Sequence, residues 1–136
     1  MNNPLIIAVD AMGGDDSPNK IIDGISIHSK KSKNIVYKIF GNKSLIDPII
    51  KKNNISTERY VVIHTDKLVE GVDTPLSAAK KGKDTSLWLA IDCLKKNEAH
   101  AIVSAGNTGA LFLISKLNLK MIENIDKPAL SALWPS

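Results

Sequence analysis

The sequence predicts an α/β protein: a three-layer, mostly parallel sheet with helices on both faces, built as a single domain over residues 1–136. Three observations predict it. The strand-length runs are continuously apolar, as in strands covered on both faces, and do not alternate. Segments with helical spacing separate them. Two of the runs empty into glycine-bearing polar loops that start a helix at once, the layout found at the carboxyl edge of a parallel sheet. At 136 residues the chain can bury roughly two-thirds of its unfolded surface, enough for a core.

Leu5–Val9 is rich in Ile and Val and is the first predicted strand. It ends at Asp10, and the polar stretch Ala11–Pro18 holds the pair Gly13 and Gly14. Ser17 as cap and Pro18 at the first helical position predict a helix over Asn19–Ser29, where Ile21, Ile22 and Ile25 recur at helical spacing. Ile35–Phe40 is the second strand and leads through Gly41 and Asn42 to a helix over Ser44–Lys52. Tyr60–Thr65 is the third strand, followed by Asp66–Pro75, which has no periodicity. A short helix over Leu76–Lys81 and a longer one over Thr85–Asn97 come next. Ala101–Ser104 is a strand, a helix starts at Thr108, and Ala129–Leu133, continuing to Trp134, reads as the start of another strand. The helix from Thr108 is apolar on nearly every side through Leu117, which predicts burial or a subunit interface. A last strand without its covering helix suits a chain truncated from a longer protein.

The stretch His100–Ala110 carries the most chemistry. Its strand passes through Ser104, Ala105, Gly106, Asn107, Thr108 and Gly109 into a helix. Backbone N–H groups at a helix start have no partner inside the helix, and the helix dipole adds positive charge there, so the turn suits phosphate or a developing oxyanion. Gly106 and Gly109 permit close backbone approach; Ser104, Asn107 and Thr108 offer side-chain donors. The alternative is an ordinary turn capped by Thr108. Gly13 and Gly14 either bring backbone to a ligand or make a plain tight turn. Asp10 and Asp15 stay open between structural and catalytic roles: Asp10 can orient a lysine or accept loop N–H groups, and Asp15 and Asp16 favour the following helix start. If the first strand and Ala101–Ser104 are neighbours, both loops serve one site.

Asp-Ala-Met-Gly-Gly-Asp at residues 10–15 and Ser-Ala-Gly-Asn-Thr-Gly-Ala at residues 104–110 resemble bacterial phosphate acyltransferase. Thr74-Pro75, Ala78, Lys80, Lys83 and Thr85-Ser86-Leu87 are similar to the same family's intervening stretch. The family has Arg, Ser and Met where Lys80, Thr85 and Leu87 stand, and Lys80 gives up the bidentate grip of an Arg. The resemblance covers essentially the whole chain but less than half of the family's usual length. It implies a Rossmann-like sheet, similar to the isocitrate/isopropylmalate dehydrogenase-like fold. It also implies formation of acyl phosphate from acyl carrier protein thioester and inorganic phosphate, for phospholipid synthesis. On that basis Asn107, Lys80, Lys83 and Asp10 are the candidate catalytic residues. Gly13, Gly14, Asp15, Ser86, Ser104, Ala105, Gly106, Thr108 and Gly109 are the candidates for holding phosphate or substrate. No cofactor and no metal is expected. The implied partners are acyl carrier protein, a second copy in a homodimer, and a membrane glycerol-3-phosphate acyltransferase, with the protein cytoplasmic and peripheral at the inner membrane face.

Composition narrows the alternatives. The net charge is +4, yet Arg59 is the only arginine among 18 basic residues and aromatic content is 4%, which leaves few stacking platforms and argues against nucleic acid. The lysine pairs Lys30-Lys31, Lys51-Lys52 and Lys95-Lys96 fall at predicted helix ends, where cations suit the dipole. Cys93 is the single cysteine, which excludes an internal disulfide, and its helical neighbours assign it to packing. His28, His64 and His100 lack ligand-like spacing, and the N-terminus does not resemble a signal peptide. Two other functions stay open: a nucleotide-binding Rossmann-like enzyme, although Gly-x-Gly-x-x-Gly and the P-loop pattern are absent, and an inactive remnant or interaction module.

Overall fold

The computed structural model describes residues 3–133. Strands β1 (Leu5–Asp10), β2 (Ile35–Gly41), β3 (Tyr60–His64) and β4 (Ala101–Ser104) form one parallel sheet in the order β3-β2-β1-β4. Helices α1 (Asn19–Lys31), α2 (Lys43–Lys52), α3 (Pro75–Lys80), α4 (Ser86–Lys95) and α5 (Thr108–Asn118) connect and cover them. The α/β class and the parallel sheet with helices on both faces are as the sequence predicts.

Strand side chains alternate between faces, so each strand feeds two cores. Val9 of β1 and Tyr37 and Ile39 of β2 pack with Ile22 and Ile25 of α1 and Ile46 and Ile50 of α2. On the opposite face Ala8 and Phe40 pack against Ala90 and Cys93 of α4. A third cluster joins Val69, Ala78, Leu87, Trp88, Ile91, Ala110 and Ile114, tying α3, α4 and α5 to the segment before α3. Ile22, Ile39, Ile46 and Ile91 are fully buried, each contributing about 1.5–3 kcal/mol relative to exposure. Burial pushes the Cys93 thiol pKa up, in keeping with a packing role.

Four helices start on a side-chain acceptor. Asn42 takes the Ser44 and Leu45 N–H groups, Thr74 that of Ser77, Thr85 that of Trp88 and Asn107 that of Ala110. The cap of α5 is therefore Asn107, with Thr108 as its first helical residue. Ser17 does not cap α1: its hydroxyl donates to the Gly13 carbonyl at 2.6 Å, closing the glycine loop, and Pro18 occupies the cap position. Ala129–Leu133 forms no strand, since no segment among the described residues pairs with it, and Leu130 and Leu133 are exposed. Trp134 lies outside the described residues. One side of α5 is buried through Ala110 and Ile114, while Leu117 is exposed.

The strand order places the working edge. The chain leaves β1 toward β2 and β3, then returns past β1 to β4, so the order reverses between β1 and β4. Ligands of open parallel sheets bind at the carboxyl ends of strands beside such a reversal.

Candidate functional site

Asp10 and Ser104 are paired across the β1–β4 ladder at the carboxyl edge. Asp10 is 2% exposed, and its carboxylate accepts the Ser104 hydroxyl at 2.8 Å and the Met12 N–H at 3.3 Å. Ser104 Oγ in turn accepts the Gly106 N–H at 3.3 Å. A buried carboxylate thus gathers donors from both loops and fixes each to its strand. Of the two roles open to Asp10, accepting a loop N–H group is the one seen, and no lysine reaches it among the described residues.

The loops touch. A Cβ on Gly106 would stand 3.0 Å from Gly13 Cα, and one on Gly13 would stand 2.5 Å from Asp10 Oδ2. Gly14 has φ +91°, and a Cβ there would stand 2.4 Å from the Ala105 carbonyl oxygen. These glycines are required because each loop approaches the other. Gly109 serves a different contact, since a Cβ on it would meet Pro75 Cγ at 2.8 Å, where α3 crosses α5.

A cleft of about 420 Å³ opens where the loops meet, lined on one side by Gly14, Asp15, Ala105, Gly106 and Asn107. Its other wall is Leu68–Gly71, part of the irregular segment after β3. That segment is a strap rather than a slack loop. Val69 plugs into the third apolar cluster, and Asn107 Nδ2 donates to the carbonyls of Gly71 at 3.2 Å and Asp73 at 2.7 Å. Lys81 Nζ sits 2.8 Å from Glu70 Oε2 and 2.6 Å from Asp73 Oδ2. Lys67 pairs with Asp84 at 2.7 Å, and Thr65 donates to the Asp84 carbonyl. Asn107 therefore spends both ends of its amide on structure: one caps α5 and the other holds the strap.

The backbone N–H groups of Thr108 and Gly109 meet no acceptor among the described residues, as the first turn of a helix requires. Thr108 is exposed and directly follows Asn107, the last residue of the turn that lines the cleft. Lys80 and Lys83 are exposed, form no ion pair among the described residues and do not line the cleft. Ser86 is buried at the start of α4, its N–H on the Lys67 carbonyl and its hydroxyl without a partner among the described residues. Sequence reasoning did not single out Met12, the Leu68–Gly71 wall or Lys81. The available signal was a long aperiodic segment after a parallel strand, ending in Asp73-Thr74-Pro75.

The clamp on the strap is electrostatic and titrates. The hydrogen bond from Lys81, then that from the Glu70 N–H, holds the Asp73 carboxyl below its ordinary 3.8, while Asp73 and then Glu70 raise the Lys81 pKa. A lowered carboxylate pKa contributes stability that is present above the unfolded value and lost as pH falls through the folded one. A raised lysine pKa keeps its contribution until pH rises through the folded value. The Glu70 amide proton, which donates to Asp73, is expected to shift with an acid midpoint below 3.8; a midpoint at or above that value would contradict the clamp.

Known proteins align with the sequence of this chain over its whole length. The chain is 59% identical over 136 residues to "Phosphate acyltransferase" of Pelagibacter ubique (strain HTCC1062), with 100% of this chain and 40% of that protein covered. It is 44% identical over 137 residues to the protein of the same name from Parvibaculum lavamentivorans, covering 100% and 38%, and 39% identical over 136 residues to that of Rhodospirillum rubrum, covering 100% and 39%. The chain thus spans about 40% of the length of these curated relatives. A family model described as "Fatty acid synthesis protein" matches residues 5–136. Both glycine loops, the strap and the buried Asp10 fall inside that match, and the chain belongs to the fatty acid synthesis protein family.

Proposed function

We propose that this chain is the N-terminal, phosphate-handling part of an acyltransferase that makes acyl phosphate from an acyl carrier protein thioester and inorganic phosphate, for phosphatidic acid and phospholipid synthesis. The observation that carries the reading is the meeting of the two glycine loops beside the strand reversal, with the unpaired helix-start N–H groups of Thr108 and Gly109 at the same edge. The name that the relatives share supports it.

The reaction suits such a site. Phosphate near neutral pH is substantially dianionic, with a second pKa of about 6 for phosphate esters as guide, so it needs positioning more than a strong base. One phosphate oxygen attacks the thioester carbonyl carbon, the C–S bond breaks, and the electron pair leaves on the pantetheine sulfur, whose thiol pKa is near 8.5. Helix-start amides hold the phosphate or the oxyanion of the tetrahedral intermediate. Asp10, Ser104, Gly13, Gly14 and Gly106 keep those amides in place; Asn107 holds the strap; Ala105 and Asp15 shape the cleft. Lys80 and Lys83 offer exposed positive charge that would steer an acidic carrier protein. Ser86 anchors the start of α4.

The working protein in this reading is a homodimer, peripheral at the inner face of the cytoplasmic membrane, passing its product to a membrane glycerol-3-phosphate acyltransferase. No helix among the described residues is long and apolar enough to cross a membrane. The test is hydroxylamine trapping with the protein in its full natural length: a hydroxamate that forms only with phosphate present is expected, and its absence would reject the activity. The order β3-β2-β1-β4 is also that of the first four strands of a dinucleotide-binding sheet, so saturable NAD binding without hydroxamate would favour the nucleotide reading.

A further inference from the structure

The cleft has a charge problem if its ligand is an anion. Two carboxylates, Asp15 and Glu70, are among its lining residues, and no Lys or Arg lines it among the described residues. An uncompensated carboxylate repels phosphate, and the strap carries Glu70 into the wall opposite Ala105 and Gly106.

Lys81 answers that charge. The lysines at 80, 81 and 83 lie at the end of α3 and just beyond it, and of the three it is the middle one whose ammonium reaches the strap. It pairs with Glu70 and with Asp73 together. Asp73 accepts the Glu70 N–H at 2.7 Å and receives the Ser77 hydroxyl at 3.3 Å, so it links α3 to the turn whose backbone Asn107 grips from the other side. One ammonium thus screens the carboxylate in the wall, offsetting one of the two negative charges it touches, and sets where that wall stands. We propose that Lys81 is a positioning residue for anion binding: its pairing with Glu70 and Asp73 makes the Leu68–Gly71 wall compatible with a phosphate held beside the Ala105–Gly109 turn. This rests on the phosphate reading of the cleft.

A lysine that only stabilised the strap would act on fold and on both substrates alike; one that screens Glu70 acts on phosphate, and removing the Glu70 charge compensates for its loss. The experiment uses the protein in its full natural length, inorganic phosphate as probe, calorimetric affinity, and KM and kcat for phosphate and thioester separately, with thermal melts as the check on folding. Lys81→Met is expected to weaken phosphate affinity roughly tenfold, as one uncovered charge near an anion does, with a matching rise in the phosphate KM and little change in the thioester KM. Lys81→Arg is expected to keep most of the affinity. Glu70→Gln alone is expected to tighten phosphate binding. The double variant Glu70→Gln/Lys81→Met is expected to return to within about threefold of the unsubstituted protein, because the repelling charge has gone with its counterion.

If the unsubstituted protein binds phosphate and Lys81→Met binds it equally well, the proposal is overturned. A loss that Glu70→Gln fails to rescue, or that raises both KM values together, overturns it too, because strap distortion then accounts for the effect. An unsubstituted protein that binds no phosphate sinks the functional reading and this inference together, and that result is visible before any variant is made.

Discussion

Gly14→Ala is expected to destabilise the chain by about 2–5 kcal/mol, since two penalties coincide at this position. Its φ of +91° lies in the left-handed region, where a Cβ costs about 1–2 kcal/mol. The new methyl would also stand 2.4 Å from the Ala105 carbonyl oxygen, a backbone atom that cannot turn aside, and such overpacking costs about 1–3 kcal/mol. The two loops must then separate, and with them the cleft. Gly24 supplies the contrast: a Cβ there meets nothing within 4 Å, and it lies inside α1. Gly24→Ala is expected to stabilise by about 0.5–1 kcal/mol through helix propensity. Urea unfolding of both variants checks the pair, and a Gly14→Ala midpoint equal to that of the unsubstituted chain would show that the loops do not pack as described.

The second large effect is expected at Asp10. Asp10→Ala removes the acceptor of the Ser104 hydroxyl and of the Met12 N–H in a place that is 2% exposed. Each donor left unpaired there costs about 1–3 kcal/mol, for a combined loss of about 2–6 kcal/mol. Asp10→Asn keeps the volume and one acceptor, so its expected loss is smaller, about 1–2 kcal/mol. Ser104→Ala breaks the link from the other end and also frees the Gly106 N–H. Because Asp10 and Ser104 share a hydrogen bond, the double variant should cost less than the sum of the singles by at least about 0.5 kcal/mol. Denaturant titration of the four proteins measures that coupling, and strict additivity would mean the two side chains act independently. Loss of phosphate affinity alongside the loss of stability is expected, since this network aims both loops.

Much of the fold was legible because its signals are local. Ile/Val-rich runs, helical spacing at Ile21, Ile22 and Ile25, and Gly41-Asn42 between a strand and a helix each report on a few neighbouring residues. Local signals failed where a side chain chose a distant or unexpected partner. Ser17 has the composition of a cap, but the Gly13 carbonyl claims its hydroxyl. Thr108 is a good cap in isolation, yet Asn107 one residue earlier takes that role while its amide reaches across to Gly71 and Asp73. Ala129–Leu133 has strand composition, but a strand exists only with a partner, and here none pairs with it.

The site divides in the same way. The sequence singled out Gly13, Gly14, Ser104 and Gly106, since glycines between a strand and a helix are informative without a structure. It also selected Lys80 and Lys83 through their spacing in the resemblance, and the structure leaves both outside the cleft. Lys81, between them in the same basic cluster, is the residue turned to the strap.

The sequence by itself determined the α/β class, the extent of most elements and the presence of two glycine loops between strand and helix, because these depend on interactions within a few residues. Only the tertiary structure decided that β4 lies beside β1, that the Ser104 hydroxyl donates to the Asp10 carboxylate across that ladder, and that the Leu68–Gly71 strap is the cleft's second wall. Those facts depend on strand order and on contacts between residues far apart in the chain, and apolar runs of similar composition do not encode which of them become neighbours.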